Sequence, residues 1–200
     1  MKSQQACEAI VKHRARAVLV CTMTSIKWVY GLDPKGLNVT CVPLMGGASA
    51  LGLGIALARP ERPVVVLDGD GSLLMQLGSL VTSVEAAAPN FVHIVFNNGV
   101  WFENMANLPV PAAKHVDYVG LARGAGYRYA DRYASVAQLE AALPELLSGN
   151  GPRFVELVIE PEGGALWSGA NLQADLQDFH FARMGDEVQR MKDALATQSS

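Results

Sequence analysis

Short, wholly apolar runs alternate with longer amphipathic stretches along most of the chain. Gln4–Ala15 spaces its apolar residues as a helix does, and "AVLVCT" (Ala17–Thr22) predicts a strand. "SIKWVYGL" (Ser25–Leu32) predicts a helix or turn, "NVTCVPL" (Asn38–Leu44) a second strand, and "ASALGLGIALA" (Ala48–Ala58) a buried helix. The two prolines of Arg59–Pro63 forbid its continuation. The β-branched run Val64–Asp68 reads as a strand covered on both faces. Ser72–Ala88 predicts one helix, stopped by Pro89–Asn90, and Phe91–Asn97 the next strand. Val116–Gly126 predicts a helix ending in glycine. Ser135–Gly149 predicts a helix with a serine cap, and Arg153–Glu160 a last strand. Strands alternating with helices imply an α/β fold of three layers, a parallel sheet with helices on both faces. The pattern changes at Pro161–Gly164, so the chain divides into a domain over 1–164 and a polar, helical tail over 165–200.

Composition narrows the function classes. Half of the 200 residues are hydrophobic, enough for a sizeable core, and the net charge is −3 with both signs interspersed. No basic stripe points to nucleic acid. Cys7, Cys21 and Cys41 are odd in number and lack metal-ligand spacing, which suits reduced thiols in a cytoplasmic protein. The polar, amphipathic start is unlike a signal peptide. Val39–Ala58 is long and apolar enough to suggest a membrane span, but Pro43 and Gly46–Gly47 interrupt it.

The chemistry concentrates at two strand ends. "VVVLDGDGSLL" places Asp70 between Gly69 and Gly71 where an apolar strand stops, and "HIVFNNGVW" ends the next strand in Asn97 and Asn98. One strand–helix–strand crossover joins them, so both loops lie at the carboxyl edge of the sheet, where open α/β folds bind ligands. Neighbouring strands are about 5 Å apart, close enough for one cation to touch both side chains. A carboxylate and an amide oxygen are hard ligands suited to Mg²⁺ or Ca²⁺, and Mg²⁺ usually completes its shell with phosphate. Gly69 and Gly71 allow close backbone approach, and Ser72 and Leu73 offer N–H groups at a helix start. The residues read as a site for a metal-bridged diphosphate. "GDGSLL" lacks the third glycine of a dinucleotide fingerprint.

Gly69-Asp70-Gly71 with Asn97-Asn98 resembles the metal and diphosphate signature of thiamine diphosphate enzymes. "PLMGGASALGLGIALARPERPVVVLDGDGSLLMQLGSL" extends the likeness to the cofactor-binding subunit of sulfopyruvate decarboxylase and the carboxyl domain of phosphonopyruvate decarboxylase, over about Ala17–Glu160. The resemblance implies that Asp70, the Asn98 side chain and the Val100 carbonyl bind Mg²⁺. It implies that Gly69, Gly71 and Ser72 hold diphosphate oxygens, with Thr24 and Ser25 reaching the same group. Met45 matches the apolar wedge under the cofactor, the Pro43 carbonyl the acceptor for its 4′-amino group, and Gly46 the space for its ring. The chemistry implied is decarboxylation of a 2-oxoacid by a thiamine diphosphate-dependent carboxy-lyase, the cofactor taking up the electron pair. Carboligation of the acetolactate synthase kind, or a non-catalytic diphosphate- or nucleotide-binding protein, are the alternatives.

Such enzymes place a glutamate from a second domain against the aminopyrimidine. These 200 residues leave no room for that domain, so the expectation is a partner subunit that carries it. After the asparagines the family's polar, glycine-rich run is replaced by "GVWFENMANLPVP" (Gly99–Pro111), leaving the identity of the small 2-oxoacid open. Read singly, Asp70, Thr24 and Ser25 are helix caps, Met45 is core filler and Asp68 is structural. Glu103 is either solvated or a catalytic acid, and Trp101 and Phe102 are interface or substrate wall. His93 reads as a satisfied core residue, His13 and His180 as exposed, and His115 as the histidine to test as a proton carrier.

Overall fold

The computed structural model describes residues 1–40, 44–103, 106–148, 150–163 and 172–196. The elements in chain order are α1 (Ser3–His13), β1 (Val18–Cys21), α2 (Thr24–Leu32), β2 (Asn38–Thr40), α3 (Ala48–Ala58), β3 (Val64–Gly69), α4 (Asp70–Met75) and α5 (Ser79–Ala86). They continue with β4 (Phe91–Asn97), β5 (Val100–Trp101), β6 (Leu108–Pro109), α6 (Tyr118–Ala125), β7 (Tyr129–Tyr133), α7 (Val136–Leu146), β8 (Arg153–Val158) and α8 (Leu172–Ala196).

Among the described residues, six strands form one sheet in the order β2-β1-β3-β4-β8-β7, with every pairing parallel. Period-two alternation sends side chains to opposite faces. Leu19, Val65, Leu67, Ile94 and Val155 pack with Ala6 and Ile10 of α1, Ile26 and Val29 of α2, and Leu139 and Leu143 of α7. Val18, Val20, Val64 and Val66 face the other way, against Leu53 and Ala56 of α3 and Met191 of α8. Val95 and Phe154 share that side with Leu73, Leu80, Tyr118 and Ala122 of α4, α5 and α6. The three-layer α/β expectation is met. β1 lies between β2 and β3, so the strand order reverses there and opens a crevice at the carboxyl edge.

Several expectations need correction. The single helix over Ser72–Ala88 is two helices, because Gln76 leaves helical geometry (φ −141, ψ 48) and the chain restarts at Gly78. The strand from Asn38 is described only to Thr40. Pro43 and Cys41 lie outside the described residues, and Leu44 belongs to no strand. β7 was not expected at all, nor the β5–β6 ribbon. His13 is half-buried, its Nδ1 2.9 Å from the Ala9 carbonyl oxygen. The expected cap of α7 is present: Ser135 accepts from the Gln138 N–H, and Gln138 answers in a capping box. Over the described part of the tail, α8 lies across β2 and α3, with Met191 and Leu195 against the apolar cluster there. No described helix is long and apolar enough to cross a membrane.

Candidate functional site

A cleft opens at the carboxyl edge where β1, β3 and β4 end. Each strand feeds one wall segment: Thr22–Ser25 after β1, Asp68–Ser72 at the end of β3, and Phe96, Asn98 and Val100–Glu103 at and beyond the end of β4. The β3–β4 register pairs Gly69 with Phe96, which brings the glycine–aspartate loop and the asparagine loop side by side. Met45 closes the cleft from the turn before α3.

Asp70 is the first residue of α4 and is 2% exposed. Its Oδ1 accepts the Gly71 N–H and its Oδ2 the Gly99 N–H, each at 2.8 Å. The second bond ties the β3 loop to the β4 loop. Burial nonetheless outweighs these bonds and pushes the carboxyl group up to about 6, with the nearby Glu103 charge adding to the rise. A desolvated carboxylate of this kind favours a cation. Asn98 Oδ1 lies alongside, accepting the Val100 N–H at 3.0 Å. Val100 pairs with Pro109 across the β5–β6 ribbon, and a proline has no N–H to claim the Val100 carbonyl. The three groups expected to hold a metal are thus oxygen donors with spare lone pairs on two adjacent loops. That donor set fits a hard divalent ion. Among the described residues no cluster of three His, Cys, Asp or Glu side chains makes a separate metal centre.

The remaining expected residues fall on the same walls. Ser72 Oγ accepts the Gly46 N–H at 2.8 Å, pinning the turn before α3 to the start of α4. Gly46 has φ +84, and a Cβ there would meet Gln76 at 3.1 Å. Gly71 packs under Trp101, where an added Cβ would lie 3.3 Å from the indole ring. The Ser25 hydroxyl is turned to the Thr22 and Leu67 carbonyls at 3.0 and 3.2 Å, so it holds the β1 and β3 ends together. Thr24, which has no such bond, is the freer hydroxyl of the expected pair. Pro43 lies outside the described residues.

Other residues fall as follows. Asp68, read as structural, lines the cleft, and its Oδ2 lies 3.0 Å from His93 Nε2. His93 is only half satisfied, because its Nδ1 has no hydrogen-bond partner. Glu103 is 5% exposed rather than solvated; Oε1 accepts the Glu162 N–H at 3.1 Å, and Oε2 has no partner. His115, read as the histidine to test as a proton carrier, is exposed and does not line the cleft. Sequence reasoning missed Thr22, whose buried Oγ1 also lacks a partner, and Met23, held at φ 50 and ψ −116. Strain in a non-glycine residue beside a cleft is a mark of functional loops, but no sequence signal announces it.

A doubly wound α/β chain with its ligand crevice at the strand-order reversal is the class that fold and cleft define. Residues 22–157 match the family model described as "Thiamine pyrophosphate enzyme, C-terminal TPP binding domain", and the chain belongs to that family. It is 41% identical over 148 residues to a phosphonopyruvate decarboxylase of Streptomyces viridochromogenes, covering 74% of this chain and 36% of that protein. It is 36% identical over 117 residues to the sulfopyruvate decarboxylase subunit beta of Methanothermobacter thermautotrophicus, covering 58% of this chain and 59% of that subunit. The benzoylformate decarboxylase structure from Polynucleobacter necessarius shares the fold, with a TM-score of 0.66 at 19% identity, covering 83% of this chain and 34% of that one. The chain therefore spans about a third of the phosphonopyruvate decarboxylase it matches.

Proposed function

We propose that this chain is the thiamine diphosphate- and Mg²⁺-binding part of a 2-oxoacid decarboxylase, completed by a second polypeptide. The observation that carries the reading is Asp70: a buried carboxylate, raised by desolvation, set beside Asn98 and Val100 at the mouth of a crevice. Asp70, Asn98 Oδ1 and the Val100 carbonyl hold the ion. Gly69, Gly71 and Ser72 hold the diphosphate, Thr24 adds a hydroxyl donor, and Ser25 keeps the β1 loop against β3. Met45 and Gly46 shape the space for the rings, with the Pro43 carbonyl as acceptor at the pyrimidine end. When bound, the cofactor supplies the electron sink for loss of carbon dioxide. The chain's own contribution is to fix the ion, exclude water with Trp101, Phe96 and Met45, and present the ring face to the cleft.

A second polypeptide is proposed because one relative is named as a subunit and because the cleft, as described, offers no carboxylate other than Asp68, Asp70 and Glu103. Asp68 and Asp70 lie at the diphosphate side in this assignment and Glu103 on the wall with Trp101 and Phe102, so the group that faces the pyrimidine is assigned to the second polypeptide. The test is calorimetry with thiamine diphosphate and Mg²⁺, set against NAD and ATP. Magnesium-dependent binding of thiamine diphosphate, lost in Asp70→Ala, is expected. Binding of the nucleotides alone would overturn the reading, and unchanged affinity in Asp70→Ala would remove that residue as the ligand.

A further inference from the structure

We infer that the substrate of this site is a singly charged 2-oxoacid with an apolar or aromatic side chain, and not one with a phosphonate or sulfonate tail. The inference rests on the decarboxylase reading and narrows it. Three carboxylates, Asp68, Asp70 and Glu103, line the cleft, and no Lys or Arg does so among the described residues. The sequence extends that statement. Residues 36–58 and 63–113, which contain every cleft residue outside Thr22–Ser25, hold no Lys or Arg. Lys27, the nearest cation in sequence to the remaining segment, sits with its Nζ 3.9 Å from the centre of the Trp28 ring.

A phosphonate or sulfonate brings one or two negative charges beyond the 2-oxoacid carboxylate and is recognised by cationic donors in forked arrangements. One divalent ion is committed to Asp70 and the diphosphate, which leaves nothing on this wall to receive a second anion. Glu103 makes the wall actively hostile to one. It is buried, its Oε1 accepts the Glu162 N–H, and the residue lines the cleft. A like charge brought against it gains nothing and loses its hydration. Around Glu103 the wall is Trp101 and Phe102, with Met23 on the β1 loop and Met45 before α3. Large, polarisable side chains of this kind favour apolar and aromatic groups.

The reaction then balances as R–CO–CO₂⁻ + H⁺ → R–CHO + CO₂. The C1–C2 bond breaks, its electron pair stays with C2, and a proton from water replaces the lost carboxylate. The tagged chain, purified together with the polypeptide that completes its site, is assayed for carbon dioxide release from phenylpyruvate, 4-methyl-2-oxopentanoate, sulfopyruvate and 3-phosphonopyruvate. The first pair is expected to exceed the second in kcat/KM by about 100-fold, the scale that pocket chemistry can supply. Equal rates, or preference for the second pair, overturn the inference and leave the decarboxylase reading standing. Release from none of the four, with thiamine diphosphate bound, removes both. Glu103→Gln and Phe102→Arg should each lower the ratio about tenfold, the second by placing a cation on the wall. A ratio measured on one preparation does not depend on how much of it is folded, so an unmoved ratio in both variants overturns the role given to this wall.

Discussion

His93 Nε2 lies 3.0 Å from Asp68 Oδ2, and both side chains are buried beneath the loop that carries Asp70. The two residues come from adjacent strands, and Asp68 Oδ1 also accepts the Gly69 N–H at 2.9 Å. The pair thus connects the sheet interior, where His93 packs between Phe91 and Phe154, to the first glycine of the cofactor loop. Replacing His93 by leucine strands a buried carboxylate oxygen. The expected loss is about 2–4 kcal/mol of unfolding free energy, measured by urea denaturation. In a double-mutant cycle with Asp68→Asn the coupling should be about 1–2 kcal/mol; simple additivity would show that the contact carries no stability.

Asp70 makes the metal-free chain pH-dependent in a definite direction. Burial raises its folded pKa to about 6 from the ordinary 3.8, so the folded chain binds the proton more strongly than the unfolded chain between those values. Stability therefore rises as pH falls through about 6 and levels off below about 4. The ceiling is about 3 kcal/mol for a rise of two pKa units. Denaturation in EDTA at pH 7.5 and 4.5 should show a gain of about 1–3 kcal/mol at the lower pH that Asp70→Asn lacks. Other groups also titrate over this range, so the comparison with the variant, and not the wild-type slope, is the decisive reading.

Gly52 fixes the approach of α3 to the sheet. A Cβ added there would lie 2.3 Å from Val66 Cγ2, which forces the helix outward or Val66 off its rotamer. Gly52→Ala should cost about 1–3 kcal/mol despite the better helix propensity of alanine. Val66→Ala in the same chain should recover part of that loss, and thermal melts of the four proteins decide it.

Gly71 and Trp101 test the cofactor assignment separately from stability. A Cβ on Gly71 crowds the indole at 3.3 Å and also stands where the backbone is proposed to meet the diphosphate. Gly71→Ala should weaken thiamine diphosphate binding by about tenfold or more, roughly the loss of one charge-assisted hydrogen bond. Adding Trp101→Leu should restore the melting temperature but not the affinity. If the second change restores both, crowding alone explains the defect.

Much of this site was legible because strand ends are. An apolar run that stops at Gly69-Asp70-Gly71 and another that stops at Asn97-Asn98 locate two loops on one edge without knowledge of the packing, and α3 was placed to the residue. β7 was not legible because it is an edge strand whose Asp131 and Arg132 face water between buried Ala130 and Tyr133, which blurs the period. The break between α4 and α5 hides in "MQLG", where the backbone of Gln76, and not a proline, interrupts the helix. Glu103 looked solvated because its burial depends on the Glu162 N–H, 59 residues away in sequence.

No residue of α8 whose side chain is described lines the cleft, yet Met191 and Leu195 shield the flank of β2 and α3, and Arg190 reaches the Pro34 carbonyl. A chain trimmed after Gly163 would keep every group assigned to the ion and the diphosphate while baring that greasy flank to the medium. What the terminal segment protects, on this view, is solubility: its removal would announce itself as aggregation long before any change in chemistry.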